Sequence, residues 1–233
     1  MKTKEYTLEV GGKTLLVQFT DLAEQANGSV LVRYGNTIVL VTAVMSKGTK
    51  DGLDYFPLTV DYEERFYAGG KIQGSRFVRR EGRPSDEAVL SGRIVDRTIR
   101  PLFDQYIRNE VQVVATVLSI GEDDPDVLGV IGASLALSVS DIPWNGPVSS
   151  IRIGKNIGEG ALLVSPTYPM REDFKYEFDL VACGKDGDIN MIEVGGKEVS
   201  EALMNEALKK ASEEIKKIQI FQKKIIKELG KEK

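Results

Sequence analysis

A chain of 233 residues with 42% hydrophobic and 28% charged residues and a formal net charge of -4 has the composition of a folded protein with a sizeable core, which excludes a disordered or polycationic chain. It contains no histidine, which removes histidine triads, histidine general bases and histidine-ligated zinc, and its single cysteine, Cys183 in the apolar stretch Leu180-Val-Ala-Cys183, excludes an internal disulfide and any thiolate cluster. No apolar run reaches signal-peptide or membrane length, so the expected setting is the cytoplasm, with no membrane partner.

The opening residues read as β structure. Strands over Lys4–Val10 and Thr14–Thr20 flank Gly11-Gly12 as one hairpin, and Val30–Tyr34 and Thr37–Val44 flank Gly35-Asn36 as a second. A short strand over Leu58–Tyr62 precedes a long loop from Glu63 to Pro84, of the length that compact domains reserve for function. Ser85 then supplies an N-cap with Asp86 and Glu87 in the first turn, and the apolar positions Ala88, Leu90, Val95 and Ile99 predict a helix that stops at Pro101. Val111–Ile120 reads as a buried strand, and Asp126 as the cap of an apolar helix over Val127–Val139. Pro143-Trp-Asn-Gly-Pro147 is a turn in which Trp144 is expected to pack. Shorter strands follow near Ile151 and over Ala161–Val164, Phe178–Cys183 and Ile189–Val194, the last two joined at Asp186-Gly187. From Ser200 to Leu229 the composition turns to Glu, Lys, Ala and Ile, which predicts one long amphipathic helix stopped at Gly230. A long helix closing the chain is expected to mark a boundary within a larger protein.

The charge is unevenly spread. Of twelve arginines, eight lie between Arg76 and Arg108: Arg76, Arg79, Arg80, Arg83, Arg93, Arg97, Arg100 and Arg108. That window holds no lysine and five acids, a local balance of +3. Planar guanidinium groups grip phosphate oxygens two at a time and stack on bases, which an ammonium does not. Arg93, Arg97 and Arg100 share a helix face, with Asp96 as an available partner. Phe77 stands beside Arg79 and Arg80 in the loop. An aromatic with paired arginines, followed by an arginine row, has the chemistry of a single-stranded nucleic-acid grip; the competing reading is a salt-bridged helix surface.

Phe77-Val-Arg-Arg-Glu-Gly-Arg-Pro-Ser85 and Gly92-Arg-Ile-Val-Asp-Arg-Thr-Ile-Arg-Pro-Leu-Phe103 resemble the first RNase PH-like core of the polyribonucleotide nucleotidyltransferase family. The similarity continues through Phe56–Arg65, Asn109–Thr116, Ile131–Leu137 and Asp141–Pro147. It implies an α/β (α+β) fold in which a mixed sheet packs against helices, with residues 1–199 as the core domain and 200–233 as the start of an all-helical linker. It further implies a homotrimeric ring that degrades single-stranded RNA from the 3′ end with inorganic phosphate and Mg2+, alone or with partners in an RNA-degradation complex. Phe77, Arg79 and Arg80 take the RNA-contacting constriction of that ring, with Arg76, Arg83, Arg93, Arg97 and Arg100 around them. Val78 stands where the family has a second phenylalanine, which leaves one stacking platform.

The resemblance also implies that the chemistry lies in a second core. Where that core has a serine-rich phosphate loop, this chain has Glu122-Asp-Asp-Pro-Asp126, whose carboxylates repel phosphate and occupy the positive helix end. Where it has an aspartate pair, this chain has Arg171 and Glu177 within a stretch that also holds Glu172, Asp173 and Asp179. No catalytic residue and no metal ligand is therefore assigned, and the Mg2+ site is expected in the second core. A stand-alone, non-catalytic RNA-binding scaffold of the same fold is the alternative.

Overall fold

The computed structural model describes residues 3–49, 52–72, 74, 82–158, 160–172 and 176–233. Among the described residues, ten strands and four α-helices follow in the order β1 (Lys4–Val10), β2 (Lys13–Phe19), β3 (Gly28–Tyr34), β4 (Thr37–Thr49), β5 (Leu58–Glu64), α1 (Asp86–Ile99), β6 (Asn109–Ser119), α2 (Pro125–Val139), β7 (Ser149–Asn156), β8 (Leu163–Val164), α3 (Tyr168–Glu172), β9 (Tyr176–Lys185), β10 (Asp188–Gly196) and α4 (Glu201–Leu229). The first six strands form the expected mixed sheet, in the order β1-β2-β3-β4-β6-β5, with β5 parallel to β6 and every other pair antiparallel. The later strands form a second sheet, antiparallel, in the order β10-β9-β7-β8.

Alternation decides which face of each strand is buried. Val30, Val32 and Tyr34 on β3, Val39, Val41 and Ala43 on β4, and Val111, Val113, Ala115 and Val117 on β6 all point into the core. Helix α2 lies against β3 and β4 on one side and β7 on another, with α1 beside it. Every residue of α2 is buried. That follows from a sequence apolar all round, which has no face to offer water. Its glycines set the approach: a Cβ at Gly132 would lie 2.5 Å from Val41 Cγ2, and one at Gly129 would touch Tyr62 and Val95. Helix α4 lays Ala207, Ala211, Ile215, Ile218 and Ile225 across β7 and β9, while its Ser200 cap accepts a hydrogen bond from Leu203 N–H at 3.3 Å. Trp144 is packed, as expected, with its indole N–H donating to Ile99 O, and Cys183 is wholly buried, its thiol pushed up to about 12 by burial.

Several elements depart from the sequence reading. Strand β4 runs past Val44 to Thr49, because β6 keeps pairing with it as far as Asn109. The loop after β5 opens with a 3-10 turn, Phe66–Gly69, and the short helix α3 stands where no element is expected. Helix α2 begins at Pro125, with Asp124 rather than Asp126 as its N-cap residue. Proline suits a first helical position because its missing N–H is one of the unpaired donors there.

Replacing Gly132 with alanine should cost about 1–3 kcal/mol in urea unfolding, because Val41 and Val32 must shift within a packed layer. Gly48→Ala, where an added Cβ meets nothing within 4 Å, should change stability by less than about 0.5 kcal/mol.

Candidate nucleic-acid interface

Helix α1 starts where the sequence places it, with Ser85 Oγ accepting from Ala88 N–H at 3.1 Å. It lies on β5 in the opposite direction. Arg100 Nη2 donates to Leu58 O at the beginning of the strand, and Gly92 packs on Tyr62 near its end. The buried face is Ala88, Ile94, Val95, Thr98 and Ile99. Leu90, expected among the apolar contacts, is 57% exposed on the outer face together with Val89. It sits within one turn of Arg93 on the face that the arginines occupy, so it cannot also reach the sheet.

The arginine row divides in two. Arg93 and Arg97 are exposed and form no ion pair among the described residues. Arg100 is held, donating through Nε to Asp96 at 3.0 Å and through Nη2 to Asp96 at 2.6 Å as well as to Leu58 O at 3.1 Å. Of the sequence candidates, then, Arg93 and Arg97 are available to a ligand, Arg100 takes the salt-bridged role, and Arg83 is exposed on the approach to the helix. Arg76, Phe77, Arg79 and Arg80 lie outside the described residues.

The N-terminus of α2 carries the other site read from the sequence, and it is filled from within. The guanidinium of Arg152, on β7, reaches Asp124 through Nε at 2.7 Å, Asp126 through Nη2 at 2.8 Å and Asp179 of β9 through Nη1 at 2.5 Å. Arg171, on α3, pairs with the same Asp124 and lies 3.4 Å from Asp179, its guanidinium 4.7 Å above the Tyr168 ring. Asp126 Oδ1 accepts the N–H of Val127 at 2.6 Å. Burial, and then the charge of Asp126, raise the Asp124 carboxyl above its ordinary range, against the opposing pull of Arg152 and Arg171. Burial disfavours the charge on Arg152, and the three aspartates outweigh that and keep it protonated.

This donor set fits neither inorganic phosphate nor Mg2+. The helix end that would receive an anion already holds carboxylates, and the aspartates that would hold a cation are each paired with a guanidinium. Glu177 pairs with Lys155 at 3.1 Å; Asp173 and the side chain of Glu172 lie outside the described residues. The sequence reading took Arg171 as a broken acid pair, and it missed Arg152, which stands alone in a strand and finds its acids only through the fold. Among the described residues, no helix is long and apolar enough to cross a membrane.

The chain is similar to known proteins in sequence and in fold. Residues 12–143 match the model of the 3′ exoribonuclease family, domain 1. The chain is 49% identical over 231 residues to the polyribonucleotide nucleotidyltransferase of Syntrophomonas wolfei, covering 99% of this chain and 32% of that protein. It is 48% identical over 234 residues to the protein of that name from Caldicellulosiruptor bescii, covering 100% of this chain and 33% of the relative. It thus spans about a third of the length of the curated relatives it matches. The crystal structure of rice (Oryza sativa) Rrp46 superposes with a TM-score of 0.69 at 14% identity, covering 97% of this chain and 94% of that one, a likeness of fold.

Arg152→Met should cost about 3–5 kcal/mol in urea unfolding, because it leaves three buried carboxylates with one remaining guanidinium. Asp124→Asn should behave differently. A carboxyl with a raised folded pKa favours the fold in its protonated form, and that contribution is lost as the pH rises through the folded value. The variant should therefore gain on the parent as the pH rises from about 4 to about 7, read from urea midpoints.

Proposed function

Because the chain belongs to the 3′ exoribonuclease family, whose first-domain model covers more than half of it, we propose that it is the RNA-holding, ring-forming first core of a phosphate-dependent 3′-to-5′ exoribonuclease. The parent enzyme converts single-stranded RNA and inorganic phosphate into nucleoside diphosphates with Mg2+, as a homotrimer in the cytoplasm, on its own or with partners in an RNA-degradation complex. Residues 1–199 form the core, and 200–233 begin the helical linker to the second core. This core contributes grip and assembly, and the second core contributes the chemistry.

The observation that carries the reading is the exposed pair Arg93 and Arg97 on α1, a helix that in sequence comes shortly after Phe77, Arg79 and Arg80. Guanidinium groups one turn apart match the spacing of successive phosphates loosely enough to follow a flexible strand, and the loop aromatic supplies base stacking. Catalytic silence rests on the Arg152 cluster, in which carboxylates stand where phosphate would bind.

The isolated chain should release no nucleoside diphosphate from single-stranded RNA with phosphate and Mg2+ present; release that depends on Glu177 or Asp179 overturns this assignment. RNA binding, measured in the chain and in a trimer, should separate the groups. Phe77→Ala should weaken binding by about 1–3 kcal/mol with an unchanged salt slope. Arg79→Ala with Arg80→Ala, and Arg93→Gln with Arg97→Gln, should each weaken it and flatten the log–log salt slope by roughly 0.7 per lost contact. Arg100→Gln should leave the slope nearly unchanged and lower thermal stability, since Arg100 is spent on Asp96 and Leu58 O. Trimer binding unaffected by replacing Phe77, Arg79 and Arg80 together reduces the cluster to a salt-bridged surface.

A further inference from the structure

The 3-10 turn that leaves β5 has an unusual distribution of side chains. Its hydrogen bonds, Ala68 N–H to Arg65 O at 2.9 Å, Gly70 N–H to Tyr67 O at 3.0 Å and Lys71 N–H to Phe66 O at 3.1 Å, close it tightly, and Gly70 adopts a left-handed φ of 67° to end it. The turn is anchored through Ala68, which is 6% exposed and whose carbonyl accepts the N–H of Ile120 at 2.9 Å beyond the end of β6. With Ala68 pointing in, its neighbours point out. Tyr67 is 57% exposed, Phe66 48% and Ile72 94%. Aromatic side chains usually bury most of their surface, so a turn that holds two of them outward on a fixed backbone is a rigid platform rather than a loose loop.

Its position gives the platform a context. Because α1 runs back along β5, the first half of α1 lies at the strand end from which the turn emerges; burial and then the nearby charge of Glu87 raise the Glu64 carboxyl there. The exposed Leu90 therefore lies toward the same end of β5 as Tyr67, with Arg93 one turn further along α1. Glu63 is taken by Arg65. Asp86 and Glu87 are exposed near the start of α1, so charge attraction comes from Arg93 and Arg97 further along the helix, and the turn offers mainly π surface.

We propose that Tyr67 is a base-stacking platform for single-stranded RNA, extending the RNA path from the arginines of α1 across the 66–69 turn. The proposal rests on the RNA-binding reading above and adds a contact to it. A strand with one base laid on the phenol ring would run back along α1 to reach Arg93 and then Arg97, so stacking and ion pairing would draw on different side chains. A second copy of the chain is the other occupant that exposed aromatic surface could receive, and the test separates the two.

The test uses the full chain, a fluorescein-labelled adenosine 20-mer for affinity and a 2-aminopurine-substituted 20-mer for stacking. Tyr67→Ala should weaken binding about 5- to 150-fold, the range that loss of one stacked base gives, with the salt slope unchanged and the 2-aminopurine quench reduced. Tyr67→Phe should restore both, and Tyr67→Leu, which keeps apolar surface without a ring, should not. Tyr67→Ala binding like the parent, or Tyr67→Leu restoring binding, overturns the platform. A change in sedimentation of Tyr67→Ala assigns the surface to contact between copies and also overturns it. If Arg93→Gln with Arg97→Gln weakens binding while Tyr67→Ala does not, the platform alone fails. If the parent chain and its trimer bind no RNA at all, the RNA-binding reading fails with it.

Discussion

Helix α2 has no solvent face, and that constraint organises the molecule. A helix buried on every side must be covered by at least two layers, which is why the mixed sheet and the antiparallel sheet close over it from different directions. It must also have both ends answered, because unpaired N–H and C=O groups away from water cost as much as lost hydrogen bonds. At the carboxyl end, Ser140 Oγ and Lys233 Nζ both donate to Leu137 O, and Lys231 N–H donates to Val139 O. Cationic donors suit that end of the helix dipole. At the amino end, the positive pole faces the carboxylates of Asp124 and Asp126, and these in turn require Arg152 and Arg171.

The second of those answers bears on function. A helix amino terminus flanked by guanidiniums is a ready anion site, and in this chain it is consumed by the protein's own acids. Stability and phosphate binding would draw on the same positive pole and the same two arginines. The arginines of α1 face no such competition, apart from Arg100, because Asp96 is the sole acid within a turn and one guanidinium occupies both its oxygens. On the proposed reading, the division between a chemically silent core and an RNA-holding surface thus comes from where acids lie relative to arginines. The number of arginines does not decide it.

Local signals in the sequence were readable and long-range ones were not. The Ser85 and Ser200 caps, the Gly11-Gly12, Gly35-Asn36 and Asp186-Gly187 turns and the unbroken apolar run of α2 each depend on neighbours a few residues away, and each stands in the structure. The separation into two sheets depends on pairings such as Ile151 with Ala182, which no local pattern encodes. The same holds for the candidate sites. Asp96 is three residues from Arg93 and four from Arg100, and the choice between them is made by Leu58 O, which anchors Arg100 from another strand. Arg152 has no acid near it in sequence and three in space. Tyr67 lay inside a stretch read only as loop, since a single 3-10 turn has too few residues to show a period.

The buried cluster also explains why such a site stays closed once formed. Three aspartates against two arginines leave a formal charge of -1 beside the helix, partly offset by the dipole and by the raised Asp124 carboxyl. Removing Asp124 alone frees one contact on each arginine and leaves Asp126 and Asp179 still holding Arg152. Removing Asp179 alone leaves the helix end still acidic. Removing Arg171 alone leaves Asp124 and Asp179 on Arg152, whereas removing Arg152 leaves Asp126 with no guanidinium at all, the costliest of these changes. No single substitution therefore yields a cationic pocket. An anion could enter only if Asp124 and Asp126 were both replaced while Arg152 and Arg171 stayed in place, and the protein would then have lost the charges that stabilise the start of its central helix.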